Sequence, residues 1–235
     1  MPRSILLLGH RGAREYAQEN TVGAFDLALA QGADGFEFDV RSTRDLQSVV
    51  CHDPKFHGLV IRRSSLKQIR AASGPSKEIP PSLRGVLERY GGSAFLNIEV
   101  KVRGIEESVV SEVHHAHPER YFISSFLPGV VLRLYALDPS LVLGALAQTR
   151  WQLRRWRRLP VQYVVPHYRL LSGRLVDKLH AAGKTVITWT VNDRRKMLRA
   201  ARMGVDGIIS DDPKLLVETV AGPAKNLPSR DGRPE

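Results

Sequence analysis

The chain has 235 residues, 43% of them hydrophobic, enough to bury a full core, and one larger α/β domain is expected rather than two small ones. Its single cysteine, Cys51, excludes an internal disulfide framework and fits a reducing, cytoplasmic setting; no export leader is read, and no apolar run nears the ~20 residues that span a bilayer. The 35 Lys+Arg against 24 Asp+Glu leave a net charge of +11, which favours an anionic partner without choosing among nucleic acid, lipid headgroups and a phosphorylated substrate.

The first apolar run, 5–8, reads as a short buried strand that stops at His10-Arg11-Gly12. Thr21 is placed to cap a helix through Ala30, which Gly32 ends. The next run, 35–40, alternates strictly, so a strand there puts Glu37 and Asp39 on one face and Phe36, Phe38 and Val40 on the other. Two carboxylates aimed at one place repel unless a cation or a shared proton relieves them, and a divalent metal is the natural inference. A strand over 48–52 ends in His52-Asp53, with Cys51 inside it as a small buried hydrophobe rather than a nucleophile.

From 54 to 81, Gly58, Gly74, Pro75 and Pro80 mark an irregular insertion holding one short helix over 65–72. Ser82 caps a helix from Leu83 to Tyr90. In 94–100 the alternation resumes: Asn97, Glu99 and Lys101 share a face opposite Leu96, Ile98 and Val100. Strands over 121–124, 141–145, 161–165, 185–190 and 206–209 follow, with helical patterns between most of them. Asn192 or Asp193 caps the helix that runs through Ala201, and from 221 onward the chain lacks apolar period and is expected to be a disordered tail. Such alternation builds a parallel sheet of βα units. The echo of Gly32-Ala33-Asp34-Gly35 in Gly204-Val205-Asp206-Gly207 suits a closed (β/α)8 barrel, a TIM barrel, over residues 1–220 with a small insertion after the strand ending in His52.

In such a barrel the strand C-terminal ends form the working face, so Glu99 is expected to join Glu37 and Asp39 as the third oxygen ligand of one ion. Three carboxylates with no cysteine cluster favour one hard divalent cation, Mg2+ or Ca2+, which spacing alone does not separate. Arg11 and Lys101 beside it would attract a phosphoryl group, and His10 and His52 can divide the proton work. Metal-assisted phosphodiester cleavage is the chemistry these parts suggest.

The segments His10-Arg11-Gly12-Ala13, Gln18-Glu19-Asn20-Thr21, Gly32 through Val40, His52-Asp53, Asn97-Ile98-Glu99-Val100-Lys101, Ser124-Ser125-Phe126, Trp189-Thr190-Val191-Asn192 and Gly204 through Pro213 together resemble the glycerophosphodiester phosphodiesterase family. The resemblance implies a phospholipase-C-like barrel that hydrolyses a small-molecule glycerophosphodiester to an alcohol and glycerol 3-phosphate. Carried over by motif, it makes His10 and His52 the acid/base pair, Glu37, Asp39 and Glu99 the metal ligands, and Arg11 and Lys101 the phosphate contacts. It puts Glu19 and Asn20 near the site, orienting the groups that touch metal or substrate; the competing role of Glu19 is to offset the dipole of the helix after Thr21. Trp189 either walls the glycerol side of the pocket or is a core aromatic at the rim. Two positions depart from the pattern: Gln18 stands where proline is usual, and Asp45-Leu46 replaces an Asp-Gly turn.

Other activities stay open: a lysophospholipase D-like or cyclising reaction on lysophospholipids, and a non-catalytic phosphate- or lipid-binding barrel, against which both histidines and all three carboxylates argue. Arg150 to Arg158 packs five arginines and two tryptophans into nine residues. It reads first as an outer helix that buries Leu153 and one tryptophan under a solvated basic face, and second as a peripheral contact with anionic membrane. No nucleic-acid partner is expected, since no recognised module accompanies the charge.

Overall fold

The computed structural model describes residues 5–73 and 79–222. Strand β1 (Leu6–His10) leads into α1 (Val22–Ala30) and β2 (Gly35–Ser42), and a tight turn brings β3 (Ser48–Val50) back antiparallel along β2. A small excursion follows, made of a hairpin of β4 (Lys55–Phe56) and β5 (Leu59–Val60), a 3-10 turn, and α2 (Leu66–Ser73). Then α3 (Leu83–Tyr90), β6 (Phe95–Val100), α4 (Glu106–Ala116), β7 (Tyr121–Ser125), α5 (Pro128–Leu137) and β8 (Leu143–Ala147) alternate. The chain continues through α6 (Arg150–Arg154), β9 (Tyr163–Pro166), α7 (Gly173–Ala181), β10 (Thr185–Thr188), α8 (Arg194–Arg202), β11 (Gly207–Ser210) and α9 (Pro213–Val220).

β1 pairs in parallel with β2, His10 opposite Glu37, and with β11, Leu6 opposite Gly207. Those two pairings close the sheet into a (β/α)8 barrel of β1, β2, β6, β7, β8, β9, β10 and β11. The expected strand at 48–52 is not one of the eight. Only the turn from Thr43 to Gln47 separates it from β2, far too short for the crossover that a parallel neighbour needs, so it lies antiparallel on the outside. The insertion also holds more than the single expected helix. His57 and Gly58 both take left-handed backbone (φ 46 and 83), which turns the two-residue strands β4 and β5 on each other. The expected tail lies, from residue 223, outside the described residues.

Helix starts follow the residues expected to cap them. The Thr21, Ser82 and Asp193 side chains accept the backbone N–H groups of Ala24, Gly85 and Lys196, each satisfying a donor that the first turn leaves unpaired. The repeated Gly-x-Asp-Gly device has one physical role at both places. Gly32 and Gly204 end a helix with positive φ, and the aspartate two residues on accepts a backbone N–H of the neighbouring barrel strand, Asp34 that of Leu7 and Asp206 that of Val186. Leu46 sits where the family pattern has glycine and takes left-handed backbone (φ 56) while 69% exposed. The Thr43 hydroxyl and the Leu66 N–H, both bonded to Asp45, hold that turn despite the strain.

Strand parity sorts the interior into tiers. Leu8, Phe95, Phe122, Leu146, Val165, Ile187 and Ile209 form one apolar cluster inside the ring, while the larger core lies between the strands and the helices. Gly35 lets the β6 backbone come close, since a Cβ there would lie 1.9 Å from the Phe95 carbonyl oxygen, and Gly144 makes room for the Phe122 ring, which a Cβ there would approach to 2.8 Å. Tyr163 stacks on Phe122 with centroids 4.2 Å apart. Two residues beyond each apolar member, the same parity carries His10 after Leu8, Asn97 after Phe95, Ser124 after Phe122, Gln148 after Leu146, His167 after Val165, Trp189 after Ile187 and Asp211 after Ile209. The polar tier at the C-terminal mouth therefore follows from the alternation that fills the apolar floor.

Candidate active site

Asp39 on β2 lies opposite Glu99 on β6, and Glu37 is two residues before Asp39 on the same face. One oxygen from each of the three lies within 4.8 Å of the others, and all three side chains are buried. Burial, with Asp39 beside it, pushes the Glu99 carboxyl up to about 7. Glu37 is raised well above the usual carboxylate range by burial and then by Asp39 and Glu99. Asp39 stays below that range although burial opposes it, because Lys101 and Arg11 flank it and Asn20 donates to it. One Glu37 oxygen, Oε1, is buried with no hydrogen-bond partner. A buried carboxylate trio with two members pushed above the usual range and an orphaned oxygen among them fits a hard divalent cation.

The cations close by are the two expected. The Lys101 ammonium is 2.6 Å from Glu99 Oε1 and 3.2 Å from Asp39 Oδ1, and Arg11 Nε is 3.1 Å from Asp39 Oδ2. Arg11 occupies left-handed backbone (φ 54), as does Asn20 (φ 59), so the β1–α1 loop stores strain at the site. Glu19 accepts two bonds from Arg11 Nη1 at 2.8 and 3.0 Å and pairs with Arg14, which aims the guanidinium; it lies before the Thr21 cap and outside the helix. Asn20 clamps Asp39 from both sides, its amide donating to Oδ2 at 2.9 Å and its oxygen accepting the Asp39 backbone N–H at 3.2 Å.

Each histidine is held by an aspartate. His10 Nδ1 is 2.6 Å from Asp211 Oδ1, which turns Nε2 toward the cavity, 3.8 Å from Glu37 Oε2. Burial lowers the His10 pKa, opposed by the Asp211 bond, so the ring is neutral at neutral pH. His52 Nδ1 is 2.8 Å from Asp53 Oδ1, and its backbone carbonyl accepts Arg41 Nε at 2.7 Å. Both rings line a cavity of about 300 Å³ with Arg11, Glu37, Glu99 and Lys101. Trp189 lines it as well, its indole N–H on the Val165 carbonyl and its ring edge-on to Phe126 and His167, which makes an aromatic wall. Cys51, its thiol pushed up to about 11 by burial, is no nucleophile.

Sequence reasoning gave no site role to four residues that line this cavity or hold a residue that does. Asp211 falls on the inward parity of β11, and that alternation was the available signal. Asn192, expected only as a cap, instead holds Asp211 through its side-chain amide and accepts the Asp211 N–H. Asn97 accepts from the Ser124 hydroxyl at 2.7 Å, so its amide nitrogen is buried without a partner at the cavity wall, a ready donor to an anionic oxygen. Arg41 repeats the parity of Glu37 and Asp39 and reaches the His52 carbonyl.

The basic segment forms α6 and one 3-10 turn after Gln148, a cavity residue. Leu153 and Trp156 pack on the core, while Trp151 is 66% exposed with the Arg155 guanidinium 3.6 Å from its ring centroid. No helix among the described residues is long and apolar enough to cross a membrane.

Residues 10–215 match the model of the glycerophosphoryl diester phosphodiesterase family. A glycerophosphodiester phosphodiesterase from Caldanaerobacter subterraneus is 32% identical over 92% of this chain and 97% of its own. One from Bacillus altitudinis is 31% identical over 90% and 96%. Among solved structures, a glycerophosphodiester phosphodiesterase from Parabacteroides distasonis superposes with a TM-score of 0.83 at 24% identity, covering 95% of this chain and all of the other. A phosphodiesterase from Oleispira antarctica, solved in complex with the product sn-glycerol-3-phosphate, has a TM-score of 0.77 at 24% identity and covers 91% and 96%.

Proposed function

The chain belongs to the glycerophosphoryl diester phosphodiesterase family, and on that footing we propose that it hydrolyses glycerophosphodiesters to an alcohol and glycerol 3-phosphate. The observation that carries this reading is one cavity in which two aspartate-held histidines face a buried trio of carboxylates. Glu37, Asp39 and Glu99 would hold one Mg2+ or Ca2+, whose charge polarises a phosphoryl oxygen when bound. Arg11, Lys101 and the Asn97 amide supply fixed positive charge and a donor where oxygen charge grows. His10, neutral and turned by Asp211, takes the proton of the attacking hydroxyl, whether water or a neighbouring hydroxyl of the substrate. His52, at the more open side, returns a proton to the leaving alkoxide. Trp189 and Phe126 flank the glycerol. The product bound in the Oleispira protein supports this substrate class.

A panel of glycerophosphocholine, glycerophosphoethanolamine, glycerophosphoglycerol and lysophospholipids, assayed with added Mg2+ or Ca2+ and again with chelator, tests the proposal. Glycerol 3-phosphate is expected from the first three and is expected to cease with chelator; full turnover under chelation would remove the cation. Release of phosphate-bearing lipid from the lysophospholipids alone would favour the lysophospholipase D-like reading, and no turnover of any substrate would favour a binding barrel.

Exposed Trp151, stacked under Arg155 next to the cavity residue Gln148, favours a second property, peripheral contact with anionic membrane. Co-sedimentation with phosphatidylglycerol vesicles at low salt is expected, and is expected to be lost in Trp151→Ala. Equal sedimentation of the variant would leave α6 a solvated outer helix. A cytoplasmic setting is the reading that the single thiol supports.

A further inference from the structure

Beside the catalytic cavity lies a second, larger cleft of about 490 Å³, between the β2–β3 turn, the insertion and the β6–α4 loop. The two share no lining residue, yet they are neighbours, since Lys101 lines one and Val102 the other. Arg41, Arg44, Arg62 and Arg103 line this cleft, and no carboxylate lines it. None of the four guanidiniums makes an ion pair among the described residues.

The carboxylates nearest in sequence are otherwise engaged. Asp45 accepts from the Thr43 hydroxyl and the Leu66 N–H, and Glu106 accepts the Gly104 N–H at 2.7 Å. Two of the arginines meet neighbours outside the cleft. Arg41 Nε is tied to the His52 carbonyl, and Arg103 is seated against Gly129, where an added Cβ would come within 3.2 Å of its guanidinium. Four like charges around one cleft repel one another, and the carboxylates that act on them, Asp39, Asp53 and Glu99 on Arg41 and Asp45 on Arg44, lie outside its lining. Beneath them the surface is apolar: Ile61 and Ile105 are buried, and Val60 and Val102 are half-buried.

We propose that this cleft is a binding site for an organic phosphomonoester, its phosphoryl dianion gripped by the arginine forks and its organic part laid on the apolar floor. Guanidinium pairs phosphoryl oxygens two at a time, and a dianion answers several fixed charges better than a carboxylate does. The apolar floor and the volume call for more than bare phosphate. The site shares no lining residue with the hydrolytic one, which Arg41 touches only through the His52 carbonyl, and does not rest on the activity proposed above.

Isothermal titration of the intact chain with phenyl phosphate and with inorganic phosphate tests it, against the double variant Arg62→Gln/Arg103→Gln, whose side chains are exposed and outside the catalytic cavity. Phenyl phosphate is expected to bind about tenfold tighter than inorganic phosphate, and about tenfold more weakly to the variant than to the parent, for the loss of charge-assisted bonds. Turnover of glycerophosphocholine by the variant is expected to be unchanged, and a matching melting curve certifies its fold. Equal affinity of parent and variant would place the binding in the catalytic cavity and overturn the proposal, as would no binding at all. Vesicles of phosphatidic acid and of phosphatidylglycerol, with Trp151→Ala introduced into both parent and variant so that α6 does not contribute, separate the sources of such a phosphate. Sedimentation of the parent but not the variant with phosphatidic acid alone assigns a lipid headgroup; titration without sedimentation assigns a soluble ester. Equal sedimentation with both lipids, with no titration signal, would reduce the cleft to general surface charge.

Discussion

His10→Ala and His52→Ala are each expected to lower kcat on a glycerophosphodiester by about 10²–10⁴-fold, the range that a positioned acid or base contributes. The far-UV spectrum and the melting temperature should change little, because neither ring belongs to an apolar cluster. The loss should fall on kcat more than on KM, since proton transfer is made only in the transition state. The two histidines differ in surroundings, and that difference is also testable. Asp211→Asn leaves the cavity intact but removes the charge that holds His10 Nδ1. It is expected to cut kcat in the same direction and, because the Asp211 charge raises the pKa of the base His10, to shift the acidic limb of the rate profile to lower pH, which a purely packing role would not do. Near-parental turnover in either alanine variant would end the acid/base assignment.

Glu37→Gln and Glu99→Gln should each raise the concentration of Mg2+ or Ca2+ needed for half-maximal turnover by about 100-fold or more, a ligand counting for at least as much as the residues that support one. Direct calorimetric titration of the cation reads the same loss without substrate. Stability should move the other way. The folded-state pKa of Glu99 is raised from 4.5 to about 7, so the folded protein holds a proton that the unfolded chain has released. The Glu99 contribution is therefore fully present below pH 4.5 and is lost as pH rises through about 7. In metal-free protein, Glu99→Gln is expected to flatten that decline and to melt higher than the parent at pH 8, while binding the cation less well. An unchanged metal titration would take the residue out of the ligand set, and an unchanged slope with pH would mean that the carboxyl is not under the stress that its burial implies.

The local signals that were legible are those written in short-range chemistry. Thr21 and Ser82 announced helices whose bounds the structure repeats, and the alternation at Glu37 and Asp39 put both carboxylates on the inward face because a strand allows nothing else. What escaped depends on partners far away in the chain. Asp211 reads as one acid in an acidic cluster until the ring sets it against His10, and Asn192 reads as a cap until Asp193, one residue on, takes that role. The antiparallel placing of the 48–50 segment follows from turn length, a clue that hydrophobic pattern alone does not weigh. The arginine cleft was invisible for the same reason: Arg41, Arg44, Arg62 and Arg103 stand on three separate segments, and only folding brings them together.

The bond between His10 and Asp211 spans 201 positions, from the first barrel strand to the last. A chain emerging from the ribosome has made His10, His52 and the whole acidic trio long before the partner of His10 exists. With His10 as the proposed base, catalytic competence is expected to be withheld until the final strand docks. Such distant contacts form late and slowly. In refolding, helical signal should recover first and turnover last, which makes the enzyme its own reporter of ring closure, and truncation before β11 should leave a barrel-less product that cannot act prematurely.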